Sequence, residues 1–499
     1  MNTFIEALEE KFNYKFTENG AVAMKSTGSK VYDLFAFGGA YRKRSIEDCI
    51  ILFKNAYEED PTLALKCLFY LRDCRGGQGE RRFFRICYRW LAIEHPMVAV
   101  KNLQYIPEMG RWDDLFELLD TPIVEAICRI TKKQLELDMQ DAIDYKGISL
   151  LGKWLPSENA HSKETKAKAT CIRRYLMMNS KQYRQMLSKL RTHLNVLEKL
   201  MSANRWDEIE FDKIPSKAGL IYRNAFARRD IIAEKYKAFA KDKTSKVNAS
   251  VLYPYEVVEK ALNKISCDYW NDYSCVFNGD DIEREIINKY WDNLTDYLNG
   301  ENCSMMCVVD TSGSMHGRPI NVAISLGLYC AERITGPFAN KYISFSSRPQ
   351  LIKTEGVDFI DKVIRIYKTN LCENTNLTAV FDLLLQTALK NGVKKEDIPK
   401  TIVVISDMEI DWGSNWNKNN TITEMEKIRK KWEMYHLNMP KLVYWNVDAR
   451  NNTILDSGPN VSFVSGCSPI IFKQVITGKT GTELMMEILM SDRYKWILK

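Results

Sequence analysis

The feature that most constrains this chain is a change in the period of its apolar residues near position 300. Before it, segments such as SIEDCIILFKNAYEED and DPTLALKCLFYLRD place apolar side chains at i, i+3, i+4 and i+7, the stripe of an amphipathic helix. Short breaks at Asp60-Pro61, Gly76-Gly77, His95-Pro96, Pro107 to Gly110 and Thr121-Pro122 separate stretches of helical length. After it, short β-branched runs alternate with helical patterns. SMMCVV (304–309), 342–345, 350–352, TIVVI (401–405), 442–447 and 461–464 read as strands. The segments 319–334, 357–367, 377–390, 422–434 and 482–490 read as helices.

Two domains follow. Residues 1–300 are expected to be α-helical, paired helices with short connections suggesting a HEAT-like solenoid, which a resemblance given below extends to a possible closed ring. Residues 301–499 are expected to be a doubly wound, mainly parallel α/β domain, with the boundary at Asn299-Gly300. The acidic, aromatic stretch 265–298 reads as a closing helix that hands over to the second domain.

Ligands of such a sheet bind outside the carboxyl ends of its strands. Two apolar strands here end in oxygen-rich loops, VVDTSGSM (308–315) and VVISDM (403–408), and a third loop, CENTNL (372–377), precedes a helix. Together they bring Asp310, Ser312, Ser314, Thr375 and Asp407 to one edge, with Gly313 permitting a tight backbone. The set is all oxygen, suited to Mg²⁺, Ca²⁺ or Mn²⁺ rather than zinc. Hydroxyl ligands add no negative charge, so the ion keeps positive character with which to attract an outside carboxylate or phosphate. The plainer reading is a helix-capping loop, since Ser and Thr are good N-caps. Glu409 and Asp411 alternate with Asp407 as a possible acidic rim, and Trp412 and Trp416 lie in a polar loop beside it.

The pattern resembles the metal-ion-dependent adhesion site of von Willebrand A domains, in which a D-x-S-x-S loop, a threonine and a second aspartate surround the ion. The resemblance implies that Asp310, Ser312 and Ser314 form the first loop, Thr375 the second and Asp407 the third. A large helical region followed by such a domain is similar in architecture to the TROVE family, the Ro autoantigen proteins, whose helical repeats form a ring that binds structured RNA. A third resemblance, to an uncharacterised family of unknown function, rests on segments 17–42, 72–84, 102–115, 152–159, 205–218 and 403–411 (TENGAVAMKSTGSKVYDLFAFGGAYR and VVISDMEID among them).

Charge supports an RNA reading. The net charge is +7, and residues 151–250 hold 22 Lys/Arg against 10 Asp/Glu between blocks that are acidic on balance. Lys163, Lys166, Lys168, Arg173, Arg174, Lys181 and Arg184, with Tyr175 and Tyr183 among them and Arg228 and Arg229 beyond, are the candidate contacts. The alternative is solvated helix faces. Arg72, Arg75, Arg81 and Arg82 around Gly76-Gly77 suggest either a phosphate-binding turn or inter-helix salt bridges, the latter favoured. Trp112 and Trp206 read as packing anchors.

Catalytic signatures are missing from the sequence. It has no GxxxxGK[ST], no GxSxG and no HExxH, and Asp310, Asp407, Glu409 and Asp411 are its one carboxylate cluster of interest. The 13 cysteines, with no CxxC pair and no secretory leader, read as reduced thiols of a cytoplasmic protein. No apolar run approaches the ~20 residues of a membrane span. The expected function is non-enzymatic RNA binding through basic helices, with a metal-bearing A domain as a second contact. The alternative is a protein-interaction scaffold whose Mg²⁺ (or Ca²⁺/Mn²⁺) is completed by a partner's Asp or Glu.

Overall fold

The computed structural model describes residues 13–268, 274–369, 375–411, 424–456, 458 and 460–499. The chain forms two compact units, one made of the residues up to Cys67 together with Ala249–Ser491, the other of Leu68–Asn248 with Asp492–Lys499. This division does not follow the expected boundary at 300. Each unit is closed by segments far apart in sequence, which apolar periodicity does not register.

In the first unit the strands are β1 (Tyr14–Phe16), β2 (Val22–Met24), β3 (Ile265–Asp268), β4 (Ser274–Phe277), β5 (Met305–Val309), β6 (Lys341–Ser344), β7 (Leu351–Lys353), β8 (Thr401–Ser406), β9 (Lys441–Asn446) and β10 (Val461–Ser465). A six-stranded sheet has the order β10-β9-β8-β5-β6-β7, parallel except for β7, which runs against β6. Every residue of β5 and β8 is buried. Strands covered on both faces are free to be continuous β-branched runs, as TIVVIS is. The helix Arg318–Arg333 lies so close to β5 that a Cβ on Gly327 would come within 2.4 Å of Val309 Cγ2. Strand order reverses between β5 and β8, the point outside whose carboxyl ends sheets of this kind bind ligands.

The residues before the first long helix join this unit. β1 and β2 form a hairpin whose Met24 exchanges backbone hydrogen bonds with Ile454 at 2.7 and 3.0 Å. The helix Lys30–Phe37 seats against β10, the Phe463 amide donating to the Tyr32 hydroxyl at 2.8 Å and Ser465 Oγ donating to the Phe35 carbonyl at 3.1 Å. The stretch expected to be one closing helix instead begins with the β3–β4 hairpin, and its helix is Asp281–Asp292. Cys267 and Cys275 stand opposite each other on that hairpin and form a disulfide, which departs from the all-thiol expectation. They are eight positions apart in sequence, and the hairpin makes them neighbours.

The second unit is helical. Its longer helices are Arg81–Glu94, Val124–Ile143, Lys163–Tyr175, Ser180–His193, Ser216–Arg228 and Asp230–Lys241. Its arginines are largely structural. The buried Asp114 accepts from Arg72 at 2.5 and 2.8 Å, from Arg85 Nε at 2.7 Å and from the Arg111 amide at 3.1 Å. The buried Asp73 accepts from the amides of Arg75 and Gly76, from Arg493 and from the Tyr494 hydroxyl. Around the Gly76-Gly77 turn a side chain at Gly77 would sit 1.9 Å from the Tyr70 carbonyl oxygen, so the glycine serves close packing. Trp112 and Trp206 are both buried. Among the described residues no helix is long and apolar enough to cross a membrane.

Candidate functional site

The site is built by the loops that leave β5 and β8 at the strand-order reversal. The Asp310 amide extends the ladder by donating to the Ile405 carbonyl at 3.1 Å, so Asp310 is fixed by the sheet itself. Its carboxylate has no exposed surface. It accepts from Ser406 Oγ at 2.6 Å and from the Ser312 amide at 2.9 Å. No guanidinium or ammonium pairs with it among the described residues. Burial, and after it the charge of nearby Asp407, pushes the Asp310 carboxyl up to about 6.

Asp407 is 1% exposed. Its carboxylate accepts from the Glu409 amide at 3.2 Å and from Arg450 Nη2 at 2.8 Å. Burial raises its pKa, opposed by Arg450 and by a hydrogen bond with Ser314. Ser312 Oγ and Ser314 Oγ are 3.1 Å apart. The next residue, Met408, is buried with φ of +67°, a left-handed conformation that non-glycine residues adopt rarely and that concentrates at functional loops.

Four of the five expected ligands are thus tied together by hydrogen bonds or mutual charge. The fifth, Thr375, is buried beside the segment that follows. Its Oγ1 donates to the Glu409 carbonyl at 3.4 Å, and its carbonyl accepts from the Asp411 amide at 3.0 Å. Gly313 is not required for the turn, since a Cβ there meets nothing within 4 Å and its φ is not positive.

The expected acidic rim does not form as drawn. Glu409 is 1% exposed and points inward. Its carboxylate accepts from the Glu18 amide at 2.6 Å and from Asn451 Nδ2 and Thr453 Oγ1 at 3.2 Å each. Its carbonyl accepts from Asn19 Nδ2 at 2.7 Å. Glu409 therefore anchors the segment 17–20 over the strand ends, a role that needs a tertiary neighbour almost 400 residues away. Asp411 is half-buried and bridges to Gly20. Trp412 and Trp416 lie outside the described residues.

Two residues that the sequence did not single out belong to this site. Arg450, in the loop after β9, reaches Asp407 with Nη2 and Glu18 Oε2 with Nη1, the latter at 3.0 Å. The available clue was a charged residue shortly after a strand's carboxyl end.

The donor set fits a hard divalent cation. The charge of the buried Asp407 opposes ionisation of the buried Asp310, and two hydroxyls stand beside them. A cation placed among them would relieve that repulsion with oxygen ligands. All four of those side chains already face one another: Asp310 with Ser312, Ser312 with Ser314, and Ser314 with Asp407.

The basic stretch of the second unit is less uniform than its composition. Lys168 is paired with Glu117 at 2.7 Å and Glu164 at 2.6 Å. Arg173 is held by Glu158 at 2.6 Å and by the Met178 carbonyl at 2.8 Å. Arg184 bonds within its own helix, to the Ser180 carbonyl, and Arg229 covers the Trp206 ring. Tyr183 is buried, its hydroxyl donating to the Pro156 carbonyl, and so offers no stacking face. Lys163, Lys166, Arg174, Lys181 and Arg228 are exposed, and their side chains make no hydrogen bond or ion pair among the described residues.

Comparison with known proteins divides the chain near the expected boundary. The family described as Domain of unknown function (DUF7788) matches residues 302–493, which hold the six-stranded sheet and all five expected ligands. "Uncharacterized protein L728" of Acanthamoeba polyphaga mimivirus is 28% identical over 523 residues, covering 97% of this chain and 88% of that protein. The family described as Domain of unknown function (DUF2828) matches 17–135 and 123–302. The first of these segments begins at the residues that Glu409 anchors. The resemblance to an uncharacterised family is borne out: with more than half of its length matched, the chain belongs to the family described as Domain of unknown function (DUF2828).

Proposed function

We propose that this protein is a non-enzymatic, cation-dependent binding protein. Its α/β unit would be a von Willebrand A-type module that presents a divalent ion to an acidic group on a partner. The observation that carries the reading is the pair of buried carboxylates, Asp310 and Asp407, at the ends of adjacent parallel strands where strand order reverses, with Ser312 and Ser314 beside them. The strand order and the single antiparallel edge strand agree with it. Asp310, Ser312, Ser314, Thr375 and Asp407 would hold Mg²⁺, Ca²⁺ or Mn²⁺, directly or through water. The ion would supply a positive centre for a partner's carboxylate, and the hydroxyls would leave that charge largely uncompensated. Calorimetric titration of the full chain with Mn²⁺ and Mg²⁺ tests this. One saturable site that Asp310→Ala abolishes is expected, together with chelator-sensitive capture on a polyglutamate resin. Absence of saturable binding, also when Arg450 is replaced by Gln, would sink the reading.

A second reading, RNA binding by HEAT-like helices with a ring arrangement as in TROVE proteins, is favoured by one observation. Lys163 and Arg174 are eleven positions apart, three helical turns, so they line one face of their helix, with Lys166 next to it. Those exposed side chains suit phosphates. Charge reversal at Lys163, Lys166 and Arg174 together should abolish salt-sensitive retention of RNase-sensitive nucleic acid. Arg173 is excluded from that set because Glu158 holds it.

A further inference from the structure

Arg450 stands between two acids. Its Nη2 is 2.8 Å from Asp407 and its Nη1 3.0 Å from Glu18, while its Nε is buried without a partner. Glu18 is held in turn, its amide by Glu409 and its Oε1 by Asn451 Nδ2 at 2.9 Å. The guanidinium thus neutralises one of the two carboxylates from which the proposed cation site is made, and leaves Asp310 to the hydroxyls and the amide that already bond it.

We infer that Arg450 is a built-in counter-cation that competes with the divalent ion for Asp407 and thereby sets the affinity of the site. The inference rests on the cation reading given above. A guanidinium against Asp407 satisfies that carboxylate in the ion-free protein. A divalent ion drawing on the same carboxylate places like charges side by side, so the ion binds against Arg450 rather than with it. Glu18 gives the displaced guanidinium a second carboxylate to remain on. The segment 17–20 therefore takes part in ion binding although it contributes no ligand.

An acidic partner group relieves the same repulsion, because it adds negative charge beside both the ion and Arg450. Ion and partner then bind more tightly together than apart, and by linkage each strengthens the other equally. Arg450 makes the ion alone a weak ligand and the ion with an acidic partner a strong one.

Mn²⁺ titration of the full chain by calorimetry, with melting curves in chelator as a second readout, tests this in wild type, Arg450→Gln, Arg450→Lys, Glu18→Gln and Asp310→Ala. Arg450→Gln should tighten Mn²⁺ binding about tenfold, as expected for removing one charge a few ångströms away. Arg450→Lys should stay within roughly twofold of wild type, since the charge remains. Glu18→Gln should weaken binding. Simple damage to the fold would weaken it in all of them, so the opposite signs at 450 and 18 carry the result. In chelator Arg450→Gln should melt below wild type, because Asp407 is left buried and unpaired, and Mn²⁺ should restore it by a larger shift. Binding seen in Arg450→Gln but not in wild type supports the inference in its strongest form. Wild-type binding that Asp310→Ala abolishes and Arg450→Gln leaves unchanged or weaker overturns the inference and leaves the cation reading standing. No binding in any variant overturns both.

Discussion

Asp114 in the helical unit and Asp310 in the α/β unit are both sealed from solvent, yet they are satisfied in different ways. Asp114 is saturated: Arg72 and Arg85 converge on it, and a backbone amide adds to them. Asp310 has the hydroxyls of Ser406 and Ser312 and the Ser312 amide, no cationic partner among the described residues, and a second acid nearby that opposes its ionisation. A buried carboxylate ringed by guanidinium groups has its charge compensated and holds helices together. One that lies near another carboxylate still has charge to be met, and the cation reading proposed above rests on that difference. Asp33 lies between them. It accepts from Ser26 Oγ, the Thr27 amide and Thr27 Oγ1, has Lys30 Nζ at 3.9 Å, and has no second acid against it among the described residues.

Substitutions break or sharpen this comparison. The largest effect is expected at Asp114. Asp114→Asn strips charge from a buried network and leaves Arg72, 3% exposed, uncompensated. It should cost about 3–5 kcal/mol in urea unfolding and leave the Mn²⁺ response of the other unit intact. An unchanged midpoint would show that the arginines find other partners. Asp310→Asn should do the reverse. Stability in chelator should hold or rise, while the stabilisation that Mn²⁺ gives wild type at a hundredfold excess over Kd, about 2.7 kcal/mol, should vanish. Equal Mn²⁺ shifts in the two proteins would remove Asp310 from the site.

At Asp33 the effect is smaller and depends on pH. Burial raises its carboxyl above the ordinary 3.8, against the pull of its hydrogen bonds. The folded state then holds the proton more tightly than the unfolded chain. Stability from this group is present at low pH and lost as pH rises through the folded value. The stability difference between wild type and Asp33→Asn should therefore fall as pH climbs from about 4, and a flat difference would contradict the assignment. The smallest effect is expected on the exposed basic face. Lys166→Glu or Arg174→Glu should change stability by no more than about 0.5 kcal/mol. Arg173→Ala, which breaks the Glu158 pair and the Met178 carbonyl contact, should cost more.

Much of the α/β unit was legible from sequence because its strands are buried on both faces. TIVVI and SMMCVV carry an apolar pattern that ends at the polar residue opening the next loop. The positions of Asp310, Ser312, Ser314 and Asp407 just past those strand ends were legible for the same reason. The β1–β2 hairpin was not found, since three-residue strands such as YKF and VAM are too short to show a period. Arg450 and Glu18 were missed because what joins them to Asp407 is tertiary, and the inward turn of Glu409 depends on Glu18, Asn451 and Thr453. In the basic stretch, composition could not separate Lys166, which faces water, from Arg173, whose charge is spent within the fold.

The hydrogen bond from the Phe463 amide to the Tyr32 hydroxyl joins residues 431 positions apart, and the Asp73–Arg493 pair closes the other unit across 420. On a ribosome moving at ~5–20 residues per second, the segment around Tyr32 is exposed for roughly 20–90 s before its seat exists. Each unit must therefore pass through a long-lived, incomplete state during synthesis. The hairpin that ends up over the strand ends spends that interval as an unpaired edge, a target for chaperones and for pairing with the wrong chain.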